Sequence, residues 1–187
     1  YSGKHCPRRI LDEYGWNNFL LLVDSYLTGG GENSRESGGK AEPETAPQVI
    51  YAAHTCGGSW LSDVAGCNDV NADGYAGIAG KSIDGIRARL TAGNIEYRVH
   101  TKGAKGYLPW VRDLDAREGG YAGIYGRAVD GIQMKLENLP GYTVSYRVSV
   151  VGGGYLPWVT GCGDGADGYA GIYGKPMDKI QIKIIKE

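Results

Sequence analysis

Seven side chains stand at positions from which a protein could hold a hydroxylated ligand: Trp110 and Trp158, Tyr125 and Tyr173, and the aspartates Asp84, Asp130 and Asp178. Flat aromatic faces stack on sugar rings, and carboxylates accept their hydroxyls, so these residue types together describe glycan recognition. Their repetition has a second reading, because one packing solution used several times leaves the same trace. Tyr75, Tyr121 and Tyr169, with Ile78, Ile124 and Ile172, are expected to serve packing, and the aspartates to serve either hydroxyls or turn N–H groups.

All of these residues belong to a repeat. GYAGIYG occurs at Gly120 to Gly126 and Gly168 to Gly174, with the near copy GYAGIAG at Gly74 to Gly80. The opening tyrosines Tyr75, Tyr121 and Tyr169 lie 46 and 48 residues apart. Upstream, Tyr51, Tyr97 and Tyr146 begin matching segments, and YLPWV recurs at Tyr107 to Val111 and Tyr155 to Val159. The first copy diverges: it reads Trp60, Leu61, Ser62, Asp63, Val64, and has Ala79 where the others have Tyr125 and Tyr173. Units repeating at such a period complete one another's core.

Those units must be built from strands. Tyr97 and Val99 alternate with Arg98 and His100, and Ile180, Ile182 and Ile184 alternate with Gln181 and Lys183, a period of two. In the second copy the pattern predicts strands at Glu96 to Thr101, Tyr107 to Val111, Tyr121 to Tyr125 and Val129 to Leu136, with a hairpin turn at Gly103 to Gly106 and its counterpart at Gly152 to Gly154 in the third copy. The expected fold is all-β, a pseudo-threefold twelve-stranded β-trefoil, with a β-prism of three four-stranded sheets as the alternative. The repeats span 49–90, 95–136 and 144–186 within a domain covering 49–187.

Ahead of this domain, residues 1–27 carry apolar positions at Ile10, Leu11, Tyr14, Phe19, Leu20, Leu22 and Val23, which suit one amphipathic helix. Residues 28–48 are rich in Gly, Ser, Glu and Pro and read as a flexible linker. A formal net charge of −1 argues against a nucleic-acid binder with a basic surface, and no apolar run is long enough to cross a membrane. Cys6, Cys56, Cys67 and Cys162 are expected as free thiols. Acidic stretches such as Asn68 to Asp73 and Asp164 to Asp167 have some character of a calcium loop, but the second copy breaks the pattern and turn chemistry explains them better.

Two resemblances join these parts. Gly3 to Pro7, GKHCP, followed by a helix with Trp16 and Phe19 to Val23, resembles the C-terminal end of zinc-dependent N-acetylmuramoyl-L-alanine amidases of the phage-lysozyme-like type. That resemblance implies that Cys6 is the third zinc ligand of an intact parent enzyme, whose two histidine ligands lie upstream. The repeats are similar to the C-terminal modules of clostridial and related phage endolysins, through Tyr97 to His100, Leu108 to Val111, Tyr121 to Gly126 and Val129 to Asp130. Together they imply a cell-wall-binding module with the last helix of an amidase domain attached. Its partner would be Gram-positive wall glycan, reached without a visible signal from the host cytoplasm, and the chain itself would hold no cofactor and perform no catalysis. The alternatives are a lectin unconnected to lysis and an assembly module that oligomerises through its N-terminal helix.

Overall fold

A computed structural model describes residues 46–67, 74–114, 120–162 and 168–187. The expected helix, the linker up to residue 45, Cys6 and the acidic stretches lie outside the described residues.

The described chain is all β. Repeat one contributes β1 (Val49–Thr55), β2 (Val64–Ala65), β3 (Ala76–Gly77) and β4 (Ile83–Leu90). Repeat two contributes β5 (Asn94–Thr101), β6 (Val111–Arg112), β7 (Ala122–Gly123) and β8 (Val129–Glu137). Repeat three contributes β9 (Tyr142–Val150), β10 (Val159–Thr160), β11 (Ala170–Gly171) and β12 (Met177–Lys186). The long strands carry the predicted alternation, with Tyr97 and Val99 wholly buried and Glu96 and Arg98 half-buried on the other face. The short strands are shorter than the sequence predicts. Between Tyr107 and Val111 only the ends pair, through a bridge from Tyr107 to His100 and the β5–β6 register of Val111 with Tyr97, and repeat one, with Ser62 in place of Pro109, pairs in the same way through Trp60 and Val64.

The strands form three antiparallel four-stranded sheets in the orders β2-β1-β4-β7, β6-β5-β8-β11 and β10-β9-β12-β3. Each repeat supplies three strands of its own sheet and sends its third strand elsewhere. Strand β7 of repeat two pairs with β4, β11 of repeat three with β8, and β3 of repeat one with β12, so the exchange runs once around the three units and closes. Within each repeat the second and third strands belong to different sheets and do not form a hairpin with each other.

A single apolar cluster drawn from all three sheets includes Tyr51, Tyr97 and Tyr146, each at most 1% exposed. A buried phenol needs hydrogen-bond partners. The Tyr97 hydroxyl accepts from Ala88 N–H on β4 at 3.1 Å and donates to the Asp113 carbonyl at 2.7 Å. Tyr146 likewise accepts from Met134 N–H on β8 at 3.2 Å and donates to the Gly168 carbonyl at 2.6 Å, while Tyr51 donates to the Gly74 carbonyl at 3.0 Å and meets the backbone of Ile182 on β12. Each tyrosine thus reaches a long strand of the preceding repeat. The short third strand covers only two residues of that strand's edge, and the phenol satisfies an N–H beyond it.

Burial pushes all three phenols well above the ordinary tyrosine range. Because the folded-state pKa is raised, their contribution to stability is complete below the unfolded value of about 10 and is lost as pH rises above it. Tyr97→Phe is expected to cost about 1–3 kcal/mol at neutral pH, since it orphans Ala88 N–H and the Asp113 carbonyl. The same change should flatten the alkaline loss of stability, and urea unfolding at pH 7, 10 and 11 measures both effects.

Candidate functional site

The repeated motif explains itself at the three junctions where one repeat's third strand meets its neighbour's sheet. Ala76, Ala122 and Ala170 are buried against the neighbouring long strand. The next residue is Gly77, Gly123 or Gly171, with φ of 128°, 147° and 137°. A Cβ on Gly123 would run into the carbonyl oxygen of Asp84, and Gly77 and Gly171 face Asp178 and Asp130 in the same way, so only glycine permits this backbone approach. A four-residue turn follows, closed by Arg127 N–H to the Ile124 carbonyl in repeat two.

The aspartates after the motif hold that turn from the neighbouring sheet. Gly126 N–H donates to Asp84 Oδ2 at 2.7 Å, Gly174 N–H to Asp130 Oδ2 at 2.7 Å, and Gly80 N–H to Asp178 Oδ2 at 2.8 Å. Each aspartate is the extra residue of a β-bulge, opposite His54/Thr55 in the first sheet and His100/Thr101 in the second. The bulge lets Ile83 and Val129 stay in the core while the adjoining carboxylate turns to the outer face. There His54 Nδ1–H donates to Asp84 Oδ1, and His100 Nδ1–H to Asp130 Oδ1, each at 2.5 Å. Asp84 and Asp130 are therefore wholly buried, with both oxygens bonded inside the protein.

Aromatic side chains roof these pairs. At the first junction Tyr125 lies over His54 with ring centroids 4.3 Å apart, stacks on Tyr121 at 5.0 Å and accepts a hydrogen bond from Trp60 Nε1 at 3.0 Å. At the second, Tyr173 lies over His100 at 4.4 Å, stacks on Tyr169 at 4.9 Å and shares a 3.0 Å hydroxyl hydrogen bond with Tyr107. Tyr125 and Tyr173 remain 52% and 49% exposed, so the side chains singled out from sequence do present surface.

Trp110 and Trp158 lie on the same outer faces and are joined to the junctions by arginine. Arg98 sits 4.8 Å from the Tyr107 ring centre and 4.5 Å from that of Trp110; Arg147 sits 4.6 Å from both Tyr155 and Trp158. Gln133 and Gln181 fix these guanidiniums through Nε at 2.8 and 2.7 Å. Lys135 and Lys183 approach the same tryptophans at 5.0 and 4.2 Å. The result is a half-exposed strip of alternating aromatic and cationic groups on sheets two and three. Sheet one differs, for Asp63 takes the tryptophan's place and pairs with Arg87, which lies over Trp60.

The third junction departs from the other two. Ser149 stands where His54 and His100 stand, Ala79 where Tyr125 and Tyr173 stand, and Lys179 where Gly85 and Gly131 stand. The exchanges depend on one another. A Cβ on Gly131 would come within 3.0 Å of the Tyr173 ring and 3.4 Å of His100, so a larger residue there requires the two rings to be absent. Sequence reasoning missed the histidines, although a signal existed: His54 and His100 each follow the core tyrosine of their repeat by three residues.

No known protein family, curated protein or solved structure matches this chain. Among the described residues no cluster of three or more His, Cys, Asp or Glu side chains is placed to hold a metal ion, and no helix is long and apolar enough to cross a membrane. Cys56 carries a free thiol, which burial and the neighbouring Asp84 carboxylate push upward in pKa.

The packing at the second junction makes a measurable coupling. Gly131→Ala alone should destabilise the chain, Tyr173→Ala should relieve part of that loss, and the double-mutant cycle should give an interaction of about 1 kcal/mol or more by urea unfolding. Additive losses would mean that ring and glycine do not compete for the same space.

Proposed function

We propose that this chain is the cell-wall-binding part of an endolysin whose parent enzyme is a zinc-dependent N-acetylmuramoyl-L-alanine amidase, and that the chain as it stands targets walls without cleaving them. The observation that carries the reading is the strip of Trp110, Arg98 and Tyr107 on one sheet and its copy, Trp158, Arg147 and Tyr155, on the next. Aromatic faces suit sugar rings, and the cations beside them suit the anionic groups of wall polymers. Two copies on one rigid core favour a polymer, since a repeating ligand engages both and gains avidity. The resemblance of Gly3 to Pro7 to an amidase tail supports the enzymatic parent. Of the zinc ligands it implies, only Cys6 is matched, and the histidines of the described domain, His54 and His100, are engaged with Asp84 and Asp130. No hydrolytic step follows from such a set.

Three separate four-stranded sheets, with no hairpin between the second and third strand of a repeat, favour closure as a β-prism over the trefoil.

The test is co-sedimentation of the full chain with purified Gram-positive walls. Binding is expected, and replacing Trp110 and Trp158 together by Ala should weaken it about tenfold or more while cooperative melting persists. A doubly substituted chain that still melts cooperatively and binds walls at full strength would remove the tryptophan strips from the function.

A further inference from the structure

The third junction leaves three buried polar atoms without a hydrogen-bond partner: Ser149 Oγ, Tyr155 Oη and Asp178 Oδ1. They are the unpaired buried side-chain polar atoms among the described residues, and all three fall at this one junction. Ser149 pairs directly with Tyr155 across a β-bridge, and Asp178 is close enough for its charge to bear on the Tyr155 phenol. The other junctions show what is missing. There the oxygen equivalent to Asp178 Oδ1 receives a histidine N–H, and the ring equivalent to Tyr155, the indole of Trp60 or the phenol of Tyr107, is hydrogen-bonded to a tyrosine hydroxyl. At the third junction the imidazole has become the hydroxymethyl of Ser149 and the phenol the methyl of Ala79, so two rings' worth of protein is gone.

Part of that space is taken by Lys179, whose ammonium lies 4.9 Å from the Tyr155 ring centre and 5.5 Å from that of Tyr75. An unbranched chain at the half-exposed rim can move aside at small cost, whereas the imidazole and phenol of the closed junctions are pinned by hydrogen bonds and stacking. A buried carboxylate oxygen left without a donor is costly, and native structures rarely tolerate it unless something else supplies one.

We propose that the junction between repeats three and one is a binding site for a neutral pyranose. The chemistry selects this class. Asp178 Oδ1 accepts only, so the occupant must bring an O–H or N–H. With one carboxylate and one ammonium side by side, Asp178 and Lys179 offset each other's field, so the site favours a neutral group over an anion or a cation. A purely apolar ring would leave all three protein atoms unpaired. A pyranose offers hydroxyls to Asp178, Ser149 and Tyr155 along its edge and a C–H face to the Tyr75 and Tyr155 rings. The site rests on the wall-binding reading for its biological setting and adjoins the strip through Arg147, which contacts both Tyr155 and Trp158. The divergent first repeat is then the one that opens a site, since Ala79 is its contribution.

The experiment titrates the full chain with glucose, galactose, N-acetylglucosamine and their methyl glycosides, by calorimetry and by saturation-transfer NMR. At least one is expected to bind. Tyr155→Phe and Ser149→Ala each remove a hydroxyl that has no partner within the protein, so each should weaken binding about fivefold or more with little change in melting. The triple change Ser149→His, Ala79→Tyr and Lys179→Gly rebuilds the closed pattern and should abolish sugar binding while raising the melting temperature. Should that variant fail to fold, the two single substitutions decide the matter. Sugar binding unaffected by them would overturn the site, as would failure of every sugar to bind, which would leave water as the occupant. A chain that binds a pyranose but not walls would refute the wall-binding reading and keep the site; one that binds walls but no pyranose would do the reverse.

Discussion

The structure depends on one constraint: no repeat can satisfy its own backbone. Each long strand at the far side of a sheet is covered for only two residues by a strand from the following repeat, and an N–H beyond it is met by that repeat's buried tyrosine. A third tie links the same pair of units, the buried aspartate of one sheet bonding the turn glycine that follows the donated strand. Strand, phenol and carboxylate all act between the same neighbours. Their removal would expose an edge, orphan a buried N–H and leave a carboxylate unpaired together, which makes the unit cooperative.

Seen this way, the motif at the head of each donated strand is an interlocking device before it is a ligand site. Its alanine is small because it lies under the neighbouring strand, its middle glycine admits that strand's carbonyl, and its last glycine offers an N–H to the aspartate. The tyrosine before that last glycine is the part that can vary without breaking the lock. Repeat one has alanine there, keeps the glycine-to-aspartate bond at 2.8 Å, and leaves three buried polar atoms at the junction without a partner. The proposed sugar site uses the positions the lock leaves free.

The long strands were legible because apolar residues recur at every second position, as at Tyr97 and Val99 of β5, and the predicted Val129 to Leu136 differs from the observed β8 by one residue. The short strands were legible only in part, since Gly123 takes a positive φ that ends its ladder early and the segments before β2, β6 and β10 pair only at their ends, with or without a proline. The exchange between repeats was not legible. In a chain of near-identical units, pairing within a repeat and pairing with the next use the same residues, so no pattern distinguishes them. At the site, Tyr125 and Tyr173 were found as exposed aromatics, and Trp110 and Trp158 prove to be accompanied by arginine and lysine. The aspartates were read as facing either hydroxyls or turn amides. At two junctions both carboxylate oxygens are bonded internally, and the histidine responsible lies 30 residues earlier, across a bulge that sequence alone does not reveal.

The closed circuit of strand donation also binds the three copies to one another. In a solenoid each unit leans on its neighbours, and the array can lengthen by adding units at an end. Here every unit both gives a strand and receives one, and the last receives from the first. The closed set is therefore indivisible: loss of any one repeat strands a giver without its receiver and uncovers a long strand elsewhere, whereas substitutions such as the serine, alanine and lysine at one junction leave the circuit intact.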